Sequence, residues 1–180
     1  MYKILERVPD ETLYTFVKSL TPDTTRNFYN FVGRNSEGIK AIVEDGRQNF
    51  FVQLYDGAPI TAYGFLKTKV GCPWIVTFGL VVADNYQGKG YGKLLLDFMI
   101  HWAKERNITK IWGSVFYDNE HAIKLYKDVG FVCEGCFLNE VVEGSDKFRH
   151  LYSIALYLPM RAMSGISNWS TNPQWYIERF

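Results

Sequence analysis

Residues 85–96 read NYQGKGYGKLLL, with glycines at alternate positions and an apolar helical pattern directly behind them. Gly88, Gly90 and Gly92 leave backbone N–H groups open to close approach, and glycine admits positive φ at little cost. Such a loop at a helix N-terminus suits a phosphate. A nucleotide P-loop would need Ser or Thr after Gly-Lys to ligate magnesium, and Leu94 follows Gly92-Lys93 instead. A dinucleotide fingerprint would need a third glycine three places after the second, and Lys93 stands there. What is left is a strand–loop–helix whose successive N–H groups bind an anion without metal, set against a plain glycine-rich turn.

A second stretch, NEHAIKLYKDVGF, covers residues 119–131. Asn119 stands where a helix would begin, and its side-chain oxygen suits a cap. Tyr126 falls on the apolar stripe Ala122, Leu125, Tyr126, Val129, the placing of a core tyrosine whose hydroxyl finds a partner. His121, Glu140 and His150 are the candidates for a proton acceptor. Cys133 and Cys136 have the spacing of a redox or zinc pair. Residues three apart on a strand point to opposite faces, however, and no second pair completes a zinc site. These cysteines read as structural, and no metal is expected.

The elements that would carry these residues follow from periodicity. Helices are predicted over Asp10 to Leu20 and Asp23 to Phe31, separated by Thr21-Pro22-Asp23, with a third over Ser36 to Val43. Strands are predicted over Asn49 to Tyr55 and Ile60 to Lys67, joined by Asp56-Gly57-Ala58-Pro59. The continuous apolar run Trp74 to Val82 has the look of a strand covered on both faces, and it feeds the glycine loop. Beyond the loop, Tyr91, Leu94, Leu95, Phe98, Met99 and Trp102 recur at helical spacing, with Lys93, Asp97, His101 and Lys104 on the other side. A strand over Lys110 to Phe116 precedes a helix from Asn119 to Asp128, which Gly130 would stop. Long strands over Phe131 to Val142 and Phe148 to Leu158 close the pattern.

A chain of 180 residues is expected to form one domain, over residues 1–159, with residues 160–180 as an appendage. Its aromatics Trp169, Trp175, Tyr176 and Phe180 would dock on the domain near its functional site or on a second subunit, as in a homodimer. An apolar content of 47% argues against disorder, and a net charge of +1 gives no reason to expect a nucleic-acid or membrane surface. No signal peptide or membrane span is apparent, and three cysteines fit no disulfide framework, so a reducing, cytoplasmic setting is expected.

Taken together, Q-G-K-G-Y-G at 87–92 and N-x-x-A-x-x-L-Y-x-x-x-G-F at 119–131 resemble the GNAT superfamily of N-acetyltransferases. Gln87, Gly90 and Gly92 meet the superfamily's loop pattern, with Gly88 as an extra glycine. The resemblance is specific over residues 74–131 and looser over 10–158. It implies an α/β (α+β) fold, with a mixed, mostly antiparallel central sheet flanked by helices that binds acetyl-CoA as co-substrate. By that likeness, backbone groups of Leu80, Val81 and Val82 would pair with the pantetheine arm. The amides of Gln87, Gly88, Lys89, Gly90, Tyr91 and Gly92 would hold the pyrophosphate. Lys89 and Lys93 either screen the remaining phosphate or are ordinary solvated lysines. Asn119 would contact the pantetheine arm besides capping its helix.

The resemblance also gives Tyr126 a role as general acid. A leaving thiol has a pKa of about 8.5 against about 10 for a phenol, so tyrosine is a reasonable proton donor to it. No general base is assigned, because the run Trp74 to Val82 carries no Asp, Glu or His. Residues 130–158 resemble the superfamily members that acetylate protein N-termini, polyamines or amino sugars. A small-molecule or peptide amine acceptor is therefore expected, with direct acetyl transfer. A non-catalytic acyl-CoA sensor and a nucleotide-binding module are the alternatives.

Overall fold

A computed structural model describes residues 2–5, 15–27, 48–55, 60–143 and 147–159. In chain order it comprises β1 (Tyr2–Leu5), α1 (Pro22–Arg26), β2 (Gln48–Tyr55), β3 (Ile60–Lys69), β4 (Cys72–Val82), α2 (Tyr91–Glu105), β5 (Lys110–Phe116), α3 (Glu120–Val129), β6 (Val132–Glu143) and β7 (Lys147–Tyr157). A helical turn at 15–18 precedes α1, and a 3₁₀ turn, Asp84–Tyr86, follows β4. The strands form one sheet in the order β1-β2-β3-β4-β5-β7-β6. Every neighbouring pair is antiparallel except β4 and β5, which run parallel. This is the mixed, mostly antiparallel sheet with flanking helices that the motifs imply.

Most predicted elements from Asn49 onward appear within two residues of their expected limits. β1 is a strand that the sequence reading did not anticipate. α1 ends at Asn27, short of the predicted Phe31, and residues 28–31 lie outside the described ones. So do the predicted helix over 36–43, the turn 56–59, residues 10–14 of the predicted helix over 10–20, and the tail from 160. Among the described residues, no helix is long and apolar enough to cross a membrane.

The apolar run in β4 is covered on both faces, as its composition predicts. On one face, Val76 and Phe78 join Leu95, Leu96, Met99 and Ala103 of α2 with Tyr126 of α3. On the other, Val81 packs with Tyr63 and Phe65 of β3 under Phe16, Val17 and Leu20. The buried stripe of α2 is thus shifted by about one residue from the one the sequence suggested, with Leu94, Phe98 and Trp102 flanking it. A methyl group on Gly64 would stand 2.9 Å from Leu95 Cδ2, so this glycine lets α2 settle onto β3. Asn119 caps α3 through Oδ1, which accepts the Ala122 amide at 3.2 Å. Gly130 ends that helix at φ 100°, donating to the Tyr126 and Lys127 carbonyls.

Among the described residues, Tyr63 and Tyr126 are buried, and burial pushes both phenols above their ordinary value. In the unfolded chain both would ionise near pH 10, whereas in the fold they stay neutral. Their contribution to stability is therefore complete below about pH 10 and is lost as pH rises further. An ultraviolet phenolate titration should leave at least two of the 12 tyrosines un-ionised until the protein unfolds in alkali. Ionisation of all of them near pH 10 in a still-folded protein would contradict this.

Candidate active site

The parallel pairing of β4 with β5 is brief. It holds at Ile75↔Lys110, Val76↔Ile111 and Thr77↔Trp112, while β4 continues to Val82 and β5 to Phe116. The divergence begins at Phe78, whose ring lies over Gly113: a methyl group there would stand 2.5 Å from Phe78 Cε1. Phe78 is itself held by Tyr126, edge-on at 5.3 Å between centroids, and by Phe131 at 5.1 Å. Three aromatic rings from three elements therefore fill the point where the strands part.

Backbone alternation decides what faces that opening. Ala83 N–H donates to the Thr61 carbonyl at 2.9 Å, which places the residues of odd number in this stretch of β4 in hydrogen-bonded register with β3. Val81 is turned to β3 by this rule. Leu80 and Val82 turn their N–H and C=O groups toward β5, beyond the last pair that β5 supplies. The Gln87 side chain agrees, since its Nε2 donates to the Val82 carbonyl at 3.2 Å. Of the three β4 residues singled out in the sequence, two share an orientation and Val81 does not.

The glycine loop begins as a 3₁₀ turn in which Tyr86 N–H donates to Ala83 O and Gln87 N–H to Asp84 O, at 2.8 and 3.2 Å. The Gln87 amide is therefore already engaged, and the open part of the loop starts at Gly88. Gly88 and Gly90 have φ of 72° and 84°, left-handed values that an L side chain rarely adopts. No atom lies within 4 Å of a methyl group placed on either, so conformation and not crowding requires glycine there. Gly92 differs: a methyl group would meet Leu125 Cδ2 at 3.2 Å, so it serves the approach of α2 to α3. The first intrahelical bond of α2 is Leu94 N–H to Gly90 O, at 3.0 Å. The N–H groups of Gly92 and Lys93 precede it, at the positive end of the helix dipole. Lys89 lies over the Tyr86 ring at 5.2 Å, Tyr86 meets Tyr91 at 5.8 Å, and Lys93 pairs with Asp97 at 2.7 Å.

Tyr126 is buried as a core ring, as its stripe predicts. The proton-acceptor candidates are scattered. His121 and Glu140 are exposed, on α3 and β6, and His150 Nδ1 accepts the Asn139 amide at 3.0 Å.

The cysteines correct a sequence argument. β6 slips by one residue against β7 between Cys133 and Gly135, so Cys133 lies opposite Ile154 and Cys136 opposite Tyr152. Ile154 and Tyr152 are two apart and share a face, so the bulge brings both cysteines to one side of the sheet. Cys133 donates its thiol hydrogen to the Gly135 carbonyl and burial pushes that thiol up, the setting of an unreactive cysteine. Among the described residues, no cluster of three or more ligating side chains exists.

Sequence reasoning missed the polar ties around α1. Before the helix, Asp84 accepts from Thr21 N–H at 3.0 Å, from the Thr21 hydroxyl and from the Thr24 hydroxyl at 2.7 Å. Slight desolvation would raise this carboxyl, but those hydrogen bonds outweigh it and hold the group below its usual range. Gln87 Nε2 adds a bond to Thr24 Oγ1 at 2.9 Å. After the helix, Arg149 of β7, only 2% exposed, donates to Arg26 O, Asn27 Oδ1 and Asp118 Oδ1. Its guanidinium lies 3.6 Å from the centre of the Phe116 ring. Burial would raise Asp118, but the Arg149 bond and charge prevail and lower it. An arginine in the middle of a strand gives no local signal of burial, because its partners come from residues more than 120 positions away.

Residues 11–131 match the model of the acetyltransferase (GNAT) family. The spermine/spermidine N(1)-acetyltransferase of Bacillus subtilis is 33% identical over 111 residues, covering 55% of this chain and 72% of the relative. The ribosomal-protein-alanine N-acetyltransferase of Escherichia coli is 29% identical over 86 residues, covering 48% of this chain and 57% of the relative. In fold, the chain resembles the solved structure of yncA from Salmonella typhimurium with its cofactor acetyl-CoA. There the TM-score is 0.71 at 16% identity, covering 90% of this chain and 96% of the other.

Arg149 gives the sharpest expectation for the stability of this region. Arg149→Met removes the donor from the Asp118 carboxylate and from two further acceptors, and should destabilise the protein by about 3–5 kcal/mol in urea denaturation. Asp118→Asn, which keeps a hydrogen-bond acceptor, should cost markedly less. Equal and small effects of both would mean that the buried pair contributes little.

Proposed function

Because this chain belongs to the acetyltransferase (GNAT) family, enzymes that use acetyl-CoA to acetylate amines, we propose that it passes the acetyl group directly to a primary amine. The acceptor would be a small molecule such as a polyamine or amino sugar, or a protein N-terminus. The names of two relatives, specifying spermine/spermidine and an alanine of a ribosomal protein, support an amine of this class. The observation that carries the reading is the parting of β4 from β5, with Leu80 and Val82 turned into it and the ring of Tyr126 packed on Phe78 where the strands part.

The residues present suit acetyl-CoA. Gly88 and Gly90 hold left-handed turns with space around them, and the N–H groups of α2 follow at once. In this reading the amides from Gly88 to Gly92 hold the pyrophosphate, and Gln87 contributes through its side chain by fixing Val82. Leu80 and Val82 supply strand-like pairing to the pantetheine arm, whereas Val81 anchors β4 to the opposite core. Asn119 uses Oδ1 as cap and keeps its Nδ2 hydrogens for the arm. Lys89 adds positive charge beside the loop. The acetyl thioester supplies the electrophile.

Tyr126 donates the proton that the departing sulfur needs. Phe78 and Phe131 fix its ring, and the raised phenol pKa keeps the hydroxyl protonated throughout the neutral range. The cysteines are not needed as nucleophiles, in keeping with direct transfer.

Thiol release from acetyl-CoA across polyamines, amino sugars and peptides with free N-termini tests the proposal. Turnover with at least one primary amine is expected, and acetyl-CoA binding with no turnover for any would instead favour a sensor. Tyr126→Phe keeps the ring in its aromatic cluster and removes the proton. Turnover should fall by roughly 10²–10⁴-fold with acetyl-CoA affinity little changed. A folded variant losing less than about tenfold, or about 1.4 kcal/mol, would return Tyr126 to a packing role.

A further inference from the structure

α1 is five residues long and buries none of its side chains, yet it is tied at both ends. The ties are not to arbitrary neighbours. The N-terminal set, Thr21 and Thr24 with Asp84 and Gln87, joins α1 to the segment that leaves β4. The C-terminal set, Arg26 O and Asn27 with Arg149, joins it to the turn that leaves β5, because the same guanidinium holds Asp118. Arg26 Nη2 also lies 3.7 Å from Asp118 Oδ2. β4 and β5 are the two strands that part. A short helix pinned to the far ends of both spans their opening.

Thr24 is the hinge of this arrangement. Its hydroxyl donates to Asp84 and accepts from Gln87 Nε2, and the same Nε2 donates to the Val82 carbonyl. Gln87 directly precedes the open glycine loop. One side-chain amide therefore touches the β4 edge, borders the anion loop and holds α1.

We propose that α1 is a strap across the mouth of the β4–β5 opening, and that Thr24 and Arg149 are positioning residues which set that mouth for the acceptor amine. Thr24 does so through Gln87, so that filling the glycine loop stiffens the strap. This rests on the reading of the site as an acetyl-CoA site. Neither residue touches the reacting atoms. By linkage, whatever the cofactor contributes to ordering α1 is returned as tighter acceptor binding.

Thr24→Val keeps the shape of the side chain and removes both hydrogen bonds. Taking the best wild-type amine from the panel as probe, the variant should raise its KM by about tenfold. The change in kcat and in acetyl-CoA Kd should stay within about twofold, with Thr24→Ser restoring the wild-type KM. An unchanged KM overturns the proposal. So does a joint shift of KM, kcat, Kd and melting temperature, which is the mark of a purely structural residue. Hydrogen exchange with coenzyme A as the probe needs no acceptor and separates the two readings. Protection of residues 88–93 by coenzyme A tests the cofactor site. Protection of residues 21–27, present in the wild type and lost in Thr24→Val while that of 88–93 persists, tests the strap. Protection of the loop alone in the wild type overturns the strap and leaves the cofactor site standing. Should Arg149→Met prove too unstable to purify, Thr24→Val decides the matter alone.

Discussion

The ring of Phe78 lying over Gly113 is the contact on which the rest of this molecule depends. A parallel pair in a sheet gains a hydrogen bond with every further register, so two strands of this length would ordinarily stay together. Here they part after three pairs, and at that point the Phe78 ring lies where only glycine at 113 admits it. Apolar packing compensates for the lost pairing. Phe78 meets Tyr126 and Phe131, and burying an aromatic side chain against others is worth more than one or two solvated backbone bonds. The opening is therefore a stable feature of the core, produced by the same cluster that holds Tyr126.

An opening between strands has two consequences for charge and hydrogen bonding. The groups of Leu80 and Val82 lie beyond the last pair that β5 supplies, in the manner of a strand edge inside the sheet, and Gln87 donates to the Val82 carbonyl there. The far ends of the strands also need another element to fix their separation. α1 does this with polar side chains in place of apolar burial, which explains why a helix burying none of its residues is retained at all. Arg149 is the deepest of these ties, and its cost in desolvation is offset by Asp118, by two acceptors from α1 and by the face of Phe116.

Local rules account for what was legible in the sequence. The left-handed turns at Gly88 and Gly90, the Asn119 cap and the Gly130 stop all depend on the residue and its immediate neighbours, so the residue types alone carried them. The same rules misled where the chain departs from regularity. Cys133 and Cys136 would face opposite ways on an unbroken strand, but one extra residue in β6 reverses the count, and Gly135 is the one residue of the stretch whose type suits a bulge. Likewise Leu80, Val81 and Val82 looked equivalent until the register with β3 assigned Val81 the other way.

By itself, then, the sequence determined the order of elements from β2 onward, the glycine loop at the start of α2 and the apolar stripe containing Tyr126. Each of these is written in periodicity, in glycine's access to positive φ, or in helix capping, and none needs knowledge of a distant residue. Tertiary structure alone decided where β4 leaves β5, which backbone groups face the opening, and which carboxylates hold α1 in place. Those depend on Phe78 finding Gly113, Asp84 finding Thr21 and Thr24, and Arg149 finding Asn27 and Asp118. The physical reason is separation. Interactions between residues that lie 30 to more than 120 positions apart leave no periodic trace in either partner, and exist only once the sheet has brought the two together.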